Sequence, residues 1–294
     1  MSISSAPRTP SEPVPAPSQL LEIASSAATL AADYIRSLDR DHLAREYKTS
    51  SHDIVTVHDR ASEDIVVSEL RRLLPTCRIV GEEGGERPVE DAPAEGPVVT
   101  FYVDPIDGTS NFAAGLPLFC ISIGVAVDDE LVAGVIDLPI LGTVFSAADG
   151  PALLDGVPIQ PRSTRPAADA LVLSGFPGHR VTEELPELAA QANVRMALDV
   201  SAVRHLGSAA IELAYVAAGW ADATALGTIN SWDIAAGFHI LRRAGGSVRT
   251  WPGTGDAARP DHLQPAYVAC TGPERIDVLD ELMQQVQDAR LAAR

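Results

Sequence analysis

The chain has 294 residues, of which 46% are hydrophobic, and a formal net charge of −18 at pH 7. This length is enough for a large buried core, in one large domain or in two closely packed ones. The acidic balance argues against a nucleic-acid-binding surface, because contact with a phosphate backbone needs patches of Lys and Arg. A phosphorylated ligand would need cations to approach so acidic a protein.

Cysteine usage and hydropathy predict where the protein works. The three cysteines, Cys77, Cys120 and Cys270, are far apart in apolar surroundings and form neither a disulfide framework nor a CxxC pair. The N-terminal stretch lacks the apolar core of a signal peptide, and no run is long and apolar enough to span a membrane. We therefore expect a soluble protein of the reducing cytoplasm with no membrane partner.

The first half of the chain begins with residues 1–17, which are rich in Ser and Pro and predict a disordered tail. Apolar residues at helical spacing predict a helix over 18–38, and a second helix follows over roughly 56–74. The stretch "CRIVGEE" predicts a short strand that leads into a loop, and the Gly, Pro and acidic residues of 84–97 predict a mobile surface loop. Further strands are expected at 98–105, 119–127, 131–138 and 143–148.

The second half alternates between strand and helix patterns. Strands are predicted by "ALVLSGF", "SAVRHLG", "WADATAL" and "AYVACTG". Helices are predicted over 181–192, over 208–219, from Ser231 to the glycine pair 245–246, and over 273–291. Because strands and helices mix throughout, the predicted fold class is α/β or α+β with layered sheets.

The stretch "DPIDGTSNF", residues 104–112, places two carboxylates three residues apart at the end of a predicted strand. Pro105 stiffens the turn and Gly108 permits tight backbone geometry. Carboxylates held this closely repel each other unless a cation lies between them, and Mg²⁺ prefers such oxygen ligands. The carbonyl of Ile106 could add a further oxygen. The alternative is an ordinary Asp-Pro turn in which both carboxylates only cap backbone groups.

The spacing in this stretch excludes two other motifs. An EF-hand loop needs oxygen ligands at alternate positions and a glutamate at the twelfth, and neither is present. Aspartyl-phosphate phosphatases have a D-x-D-G-T pattern with a nucleophilic first aspartate, whereas Asp104 and Asp107 form D-x-x-D-G-T. The longer spacing argues against a covalent phosphoenzyme.

Three more stretches contain charged residues that could join the same site. Glu82 follows a strand and a glycine in "IVGEEGG", although a solvated acidic loop is an equally good interpretation. Asp233 lies in the first turn of the helix that "SWDIAAG" begins, where a carboxylate favours the helix dipole and Ser231 is a plausible cap. Lys48, the only lysine in the chain, precedes a helix start with Asp59, and the two could also form an ordinary surface pair.

Together these motifs resemble the inositol monophosphatase family, within the Mg²⁺-dependent, lithium-sensitive phosphatase superfamily. The resemblance covers roughly residues 18–290, and the motifs follow one another in the family's order. The matching stretches are a lysine with a D-x-V-T-x-x-D pattern at 48–59, "GEE" at 81–83, "DPIDGTSNF" at 104–112, "RHLGSAA" at 204–210 and "WDIAAG" at 232–237.

The resemblance implies a set of metal ligands and two to three Mg²⁺ ions for each site. Glu82, Asp104 and the Ile106 carbonyl match ligands of a first metal, and Asp104, Asp107 and Asp233 match those of a second. Glu82 also matches the residue that orients a third, weaker metal through water. The implied activity is hydrolysis of a small polyol or sugar phosphate, similar to inositol 1-phosphate, by direct attack of a metal-activated water.

The resemblance also implies roles around the attacking water and the substrate. Thr109, paired with Asp59, matches the group that activates the water, and the backbone N–H groups of Gly108 and Thr109 match phosphate contacts. Lys48 matches a lysine near the metals. Possible contacts on the substrate side are Arg204 and Ser208.

The implied architecture is a layered α-β-α-β-α sandwich of the inositol monophosphatase and fructose-1,6-bisphosphatase type, commonly a homodimer. Residues 18–290 would form one phosphatase domain, with a metal-site half to about 150 and an α/β half from about 151.

One departure from the family pattern concerns the substrate. Leu226 stands seven residues before Asp233, where many inositol phosphatases have a glutamate that binds substrate hydroxyls. Histidinol-phosphate and fructose-1,6-bisphosphate phosphatases therefore remain open as alternatives, and so does a metal-binding regulatory protein without turnover.

Overall fold

The structure is a computed structural model that describes residues 14–39, 46–47, 54–55, 57–88 and 96–293. The prediction of a disordered tail over 1–17 falls, for residues 1–13, outside the described residues. Lys48 and part of the predicted loop over 84–97 also lie outside them.

The larger of the two main sheets has the strand order β10-β9-β8-β7-β6-β5-β3-β4. Its strands are antiparallel except for the pair β3 and β5. They are β3 (Arg78–Gly81), β4 (Gly85–Arg87), β5 (Val99–Asp107), β6 (Cys120–Val127), β7 (Glu130–Leu138), β8 (Thr143–Ala147), β9 (Leu153–Leu154) and β10 (Val157–Pro158).

The smaller sheet has the order β12-β11-β13-β15-β14, in which β12, β11 and β13 run parallel to one another. Its strands are β11 (Leu171–Ser174), β12 (Ala202–Arg204), β13 (Ala223–Leu226), β14 (Ser247–Trp251) and β15 (Ala266–Cys270). A separate two-stranded ladder pairs β1 (Glu46–Tyr47) with β2 (Ile54–Val55).

The helices and the two sheets form five layers, in the order α-β-α-β-α. Helices α1 and α2 cover one face of the large sheet, α6 and α7 lie between the sheets, and α5 and α8 cover the outer face of the small sheet. The predicted layered sandwich is confirmed. The helices are α1 (Pro17–Arg36), α2 (Val57–Leu73), α3 (Thr109–Ala114), α4 (Gly178–Glu184), α5 (Pro186–Asp199), α6 (Ala209–Ala217), α7 (Ser231–Arg243) and α8 (Asp277–Ala292).

Helix α1 shows how the apolar pattern builds the first layer. Pro17 occupies its first position, where a missing N–H costs nothing. Its apolar residues recur at helical spacing, so one face is buried against the large sheet and the other is exposed. The buried positions are Leu20, Ala24, Ala27, Ala28, Ala31, Ala32 and Ile35.

Helix α7 crosses the large sheet at unusually close range because small residues meet at the crossing. A Cβ atom built on Gly124 of β6 would lie 2.5 Å from the Cβ of Ala235, and one built on Gly134 of β7 would lie 2.8 Å from the carbonyl oxygen of Ala236. Real Cβ atoms do not approach so closely, so the two glycines allow this contact. The close packing fixes the N-terminal turn of α7, which contains Asp233.

We predict that Gly124→Val destabilises the protein by about 2–3 kcal/mol, because the added methyl groups overpack the contact with Ala235. Urea unfolding measures the change. Gly150→Ala is the control, since a Cβ atom there meets no atom within 4 Å. Equal stability of the two variants would contradict a close packing constraint at α7.

Several elements of the described chain differ from the sequence-based predictions, and α3, β9 and β10 are among those not predicted. Residues 85–87 of the predicted loop form β4, which pairs with β3. The helix predicted over 181–192 is two helices, because Leu185 precedes Pro186 and is held outside helical geometry, with φ −139°. Strand β14 was not predicted; it follows a pair of glycines at the sheet edge, and Trp251 is its one buried residue.

Within the described residues, the helices are too short or too polar to cross a lipid bilayer.

Candidate metal centre and active site

A bulge in β5 brings the two carboxylates of "DPIDG" to the same side of the sheet. Asp104 pairs with Ser122 and Asp107 pairs with Cys120, so three steps on β5 oppose two steps on β6. Residues three apart on a regular strand would point to opposite faces. The extra residue in the bulge corrects this alternation.

Backbone and side-chain donors hold both carboxylates in place. The N–H of Ile106 donates to Oδ1 of Asp104 at 3.0 Å. Oδ2 of Asp107 accepts from the hydroxyl of Ser208 at 2.8 Å and from the N–H of Ala210 at 2.6 Å. Because Ala210 lies in the first turn of α6, the N-terminal end of that helix faces the Asp107 charge.

Asp233 reaches the same place from the first turn of α7. Its Oδ2 accepts from the N–H of Asn230 at 3.0 Å, and Asn230, not Ser231 as the sequence suggested, is the N-cap residue. Capping therefore uses only one carboxylate oxygen of Asp233. The same carboxylate shares a side-chain hydrogen bond with Asp104, so Asp233 both caps α7 and belongs to the acidic group.

The three aspartates converge. One carboxylate oxygen from each of Asp104, Asp107 and Asp233 lies within 4.8 Å of the others. Asp104 is 2% exposed and Asp107 is 8% exposed. Such a group of buried acidic oxygens could hold a metal ion, and hard cations such as Mg²⁺ take oxygen ligands.

Electrostatics test whether a cation fits this group. Burial, and then the charges of Glu82, Asp107 and Asp233, raise the pKa of Asp104 well above its ordinary value. Burial also raises the pKa of Asp107 to about 6, and burial together with the Asp107 charge raises the pKa of Asp233 to about 8. None of the main causes of these shifts is a Lys, Arg or His of the described chain, so the group suits a bound dication.

Glu82 is not one of the three converging carboxylates. Its charge nevertheless contributes to the raised pKa of both Asp104 and Asp233, so it lies within electrostatic range of the group. Its N–H donates to the carbonyl of Val103, one residue before Asp104, at 3.2 Å. The turn after β3 is thereby joined to the end of β5.

Glu63 organises the turn that contains Glu82, and the sequence analysis missed it. Its buried carboxylate accepts from the N–H groups of Glu83 and Gly84, both at 2.8 Å, and pairs with Arg87 at 2.7 Å. A Cβ atom on Gly81 would lie 2.6 Å from Oε2 of Glu63, so this carboxylate fits only beside glycine. The signal in the sequence was a polar stripe at helical spacing on α2, comprising Asp59, Ser62 and Glu63, all of which are buried.

Thr109 and Asp59 form a second pair beside the carboxylates. The Thr109 hydroxyl lies 3.1 Å from Oδ1 of Asp59 and 3.1 Å from the carbonyl oxygen of Ile106. It can donate its proton to either oxygen and accept from a water molecule. The side chain of Asp59 is fully buried, so its carboxylate is held close to this hydroxyl.

Gly108 connects the two aspartates to α3 in a backbone conformation that favours glycine, with φ +98°. A Cβ atom there would lie 3.0 Å from the carbonyl oxygen of Leu118 and 3.3 Å from that of Gly207. Nearby, the side-chain amide of Asn111 donates to the carbonyls of Leu118 and Leu206, both at 2.7 Å. The loop at 205–207 is therefore held against the turn that follows Asp107.

The other predicted substrate contacts have different surroundings. Ser208 is buried, donates to Asp107 and caps α6 by accepting from the N–H of Ile211. Arg204 is exposed, and its guanidinium donates to the carbonyl of the adjacent Val203 at 2.8 Å. Lys48 lies outside the described residues, so its predicted position near the metals stays a prediction.

Glu212 is a second buried carboxylate that the sequence analysis assigned no role in the site. It accepts from the N–H of Leu206 at 3.0 Å and from the hydroxyl of Thr224 at 3.1 Å, and so braces the 205–207 loop from behind. Burial raises the pKa of Glu212 to about 7. A glutamate in the first turn of a helix, four residues after a cap serine, was its signal in the sequence.

We predict that the metal-free protein loses stability as pH rises from about 4 to 8. The raised pKa values of Asp107 and Asp233 mean that the folded state binds more protons than the unfolded state, so the free energy of unfolding falls with pH. Each such group contributes about 1.4 kcal/mol per pH unit between its unfolded and folded pKa values. Urea unfolding in EDTA measures the slope, and excess Mg²⁺ should flatten it; the same slope with and without Mg²⁺ would contradict a metal-binding role.

The layered α-β-α-β-α fold and the acidic group define the class of protein. In this class a candidate cation site lies between the end of a bulged strand, here β5, and the start of a helix, here α7. Comparison with known proteins identifies the family. The family model described as "Inositol monophosphatase family" matches residues 16–290. The chain therefore belongs to the inositol monophosphatase family, as its motifs indicated.

Two names recur among the similar proteins, inositol-1-monophosphatase and Nus factor SuhB. The chain is 36% identical over 247 residues to an inositol-1-monophosphatase from Synechocystis sp., covering 82% of this chain and 83% of that protein. It is 34% identical over 247 residues to Nus factor SuhB from Pasteurella multocida, covering 83% and 90%. The solved structure of inositol monophosphatase from Anabaena superposes with a TM-score of 0.70 at 28% identity, covering 94% of this chain and 96% of that one.

Proposed function

We propose that the protein is a Mg²⁺-dependent phosphomonoesterase that hydrolyses a small phosphorylated alcohol by direct attack of water. The convergence of Asp104, Asp107 and Asp233 beside the Thr109–Asp59 pair carries this proposal. The family supports a phosphatase, and the two curated relatives named above are 34% and 36% identical to the chain.

In this proposal the acidic group holds two to three Mg²⁺ ions. The ligands would be Glu82, Asp104, the Ile106 carbonyl, Asp107 and Asp233. When bound, Mg²⁺ would neutralise phosphoryl oxygens, lower the pKa of a bound water and stabilise the leaving alkoxide.

The protein's own groups position the water and the phosphate. The Thr109 hydroxyl accepts a hydrogen bond from the attacking water while it donates to Asp59, whose carboxylate takes up the proton. The N–H groups of Gly108 and Thr109, at the start of α3, contact the phosphoryl oxygens. Ser208 acts as a positioning residue, because its hydroxyl orients Asp107.

The proposed substrates are polyol, sugar and histidinol phosphates. Leu226 supplies no carboxylate where many inositol phosphatases have a substrate-binding glutamate. We further propose that residues 18–290 act as one phosphatase domain and that the enzyme works as a cytoplasmic homodimer.

A panel of phosphate esters tests the proposal. The purified protein is expected to release phosphate from at least one of inositol 1-phosphate, histidinol phosphate, fructose 1,6-bisphosphate and nucleoside monophosphates in the presence of Mg²⁺. Addition of EDTA should stop the release and excess Mg²⁺ should restore it. No release from any ester at any Mg²⁺ concentration would overturn the proposal.

A second candidate function is regulatory, favoured by the similarity to Nus factor SuhB at an identity close to that of the phosphatase relative. In this case the metal site would stabilise a protein-binding surface without turnover. Mg²⁺ binding measured by calorimetry, together with no hydrolysis of the ester panel and a specific partner in pull-down, would support it. Phosphate release that requires Thr109 would contradict it.

A further inference from the structure

The turn between β3 and β4, residues 82–84, contains the proposed metal ligand Glu82, and each of its three N–H groups has a protein acceptor. The first N–H donates to the carbonyl of Val103 at 3.2 Å. The next two both donate to the carboxylate of Glu63, at 2.8 Å. One side chain of α2 therefore fixes most of the path of this turn, which we call the Glu82 turn.

Glu63 needs a cation partner because its side chain is fully buried. Burial of an unpaired charge is strongly unfavourable. The guanidinium of Arg87, on β4, donates to Oε1 of Glu63 at 2.7 Å. Hydrogen bonds between ionised partners are about twice as strong as neutral ones, so this pair joins α2 firmly to the strand that follows the Glu82 turn.

Two glycines make room for the pair. A Cβ atom on Gly81 would lie 2.6 Å from Oε2 of Glu63, and one on Gly84 would overlap the guanidinium of Arg87. The three atoms nearest to a Cβ on Gly84 all belong to Arg87, and Gly84 itself is exposed. A methyl group at Gly84 would therefore act mainly on the position of Arg87.

The same face of α2 contacts two other parts of the candidate site. Asp59 accepts from the hydroxyl of Thr109 at 3.1 Å. The hydroxyl of Ser62, next to Glu63, donates to the carbonyl of Pro105 at 3.3 Å. This helix therefore sets the position of the Glu82 turn relative to the bulge in β5.

The three converging aspartates have a different set of supports. The hydrogen bonds described above reach them from the β5 bulge, from α6 and from the start of α7. Glu82 is not one of the converging residues, although its charge acts on two of them. A change at Glu63 is therefore expected to move Glu82 and to leave the aspartates in place.

We propose that Glu63, paired with Arg87, is a positioning residue that sets the Mg²⁺ affinity of the Glu82 turn independently of the ion held by the three aspartates. The inference rests on the proposed function, in which Glu82 is a metal ligand. Residues that orient metal ligands typically change metal affinity by about 10- to 100-fold when they are replaced. Glu63 orients its ligand through two backbone N–H groups.

Calorimetric titration of the purified protein with Mg²⁺ tests this role. Glu63→Gln is expected to weaken the binding step that Glu82→Gln also weakens, by about 10- to 100-fold, and to leave the other step unchanged. The double variant should bind no more weakly than Glu82→Gln, because Glu63 has nothing left to position once the ligand is removed. A merely structural role for Glu63 would give additive losses instead.

Glu69→Gln is the matched control for lost stability. It replaces a second buried carboxylate of α2, which pairs with Arg72 at 2.7 Å and accepts from the hydroxyl of Ser26 at 2.7 Å. Urea unfolding should show that Glu69→Gln and Glu63→Gln both lower the free energy of unfolding. Only Glu63→Gln should change Mg²⁺ binding.

Gly84→Ala tests the pair with a smaller change, and it decides the question if Glu63→Gln does not fold. The added methyl group displaces Arg87 while Glu63 stays in place. The variant should weaken the same binding step as Glu63→Gln by a smaller factor. Gly150→Ala, where a Cβ atom meets nothing within 4 Å, should leave both steps unchanged.

The outcomes separate this inference from the proposed function. Selective weakening of the Glu82-dependent step by Glu63→Gln and Gly84→Ala supports the inference. It is overturned if both variants bind Mg²⁺ as the natural protein does, if Glu69→Gln weakens the same step equally, or if Glu82→Gln changes no step. Selective weakening without phosphate release from any ester overturns the proposed activity and leaves the inference intact.

Discussion

Asp104→Asn is expected to lower Mg²⁺-dependent phosphate release by about 10²- to 10³-fold or more. Asp104 is buried beside the other acidic groups, and the charges of Glu82, Asp107 and Asp233 all raise its pKa. An amide at this position removes the charge that a dication would neutralise and offers a single weaker oxygen ligand. Calorimetry should show a parallel loss of Mg²⁺ affinity.

The stability of the same variant distinguishes a lost site from a lost fold. Without metal, Asp104→Asn should be more stable than the natural protein at pH 8, because it removes one of several buried carboxylates that repel each other. Asp169→Asn is the matched control, since that carboxylate is exposed, and it should change neither activity nor stability. Full activity in Asp104→Asn would contradict the proposed metal centre.

Thr109→Val is expected to lower kcat by about 10²- to 10⁴-fold while leaving Mg²⁺ affinity nearly unchanged. Valine has the shape of threonine but cannot accept a hydrogen bond from water or donate to Asp59. Asp59→Asn should cause a loss of similar size. Steady-state kinetics combined with calorimetry separate the effect on turnover from the effect on metal binding.

The double variant provides the sharper test of this pair. If Thr109 and Asp59 move one proton together, the double variant should lose no more activity than the single variants, since groups that act as a unit are strongly non-additive. Thr143→Val is a suitable control, because the hydroxyl of Thr143 contacts only an exposed backbone carbonyl. Fully additive losses would contradict a shared role.

The elements that the sequence predicted well are those with strong periodic patterns. Helix α1 and strand β5 were predicted within two residues at each end, because their buried faces repeat at the spacing of a helix and a strand. Short edge elements were missed. Strands β9 and β10 have two residues each, and β14 lies at a sheet edge. None of these three strands has a clear periodic pattern of buried residues.

The acidic residues of the candidate site were likewise predicted from motifs. The two buried glutamates that hold the surrounding loops in place, Glu63 and Glu212, were not. Glu63 and Glu212 lie in helices where a buried carboxylate is indistinguishable from a solvated one by sequence alone. Their partners lie 20 to 24 and 6 to 12 positions away along the chain, in loops and strands whose paths depend on the packed sheets. A cluster of this kind exists only after the layers have assembled.

By itself, the sequence determined the family, the order of the longer strands and helices, and the residue types of the candidate cation site, because these follow from local spacing and from motifs of adjacent residues. Only the tertiary structure decided that Asp104 and Asp107 face the same side, through a bulge, and that Asp233 reaches them across a contact that needs Gly124 and Gly134. It also decided that Leu226 packs beside Gly175 and His205. The physical reason is that local pattern specifies backbone conformation and burial, whereas distances between remote side chains are set by how closely the layers pack.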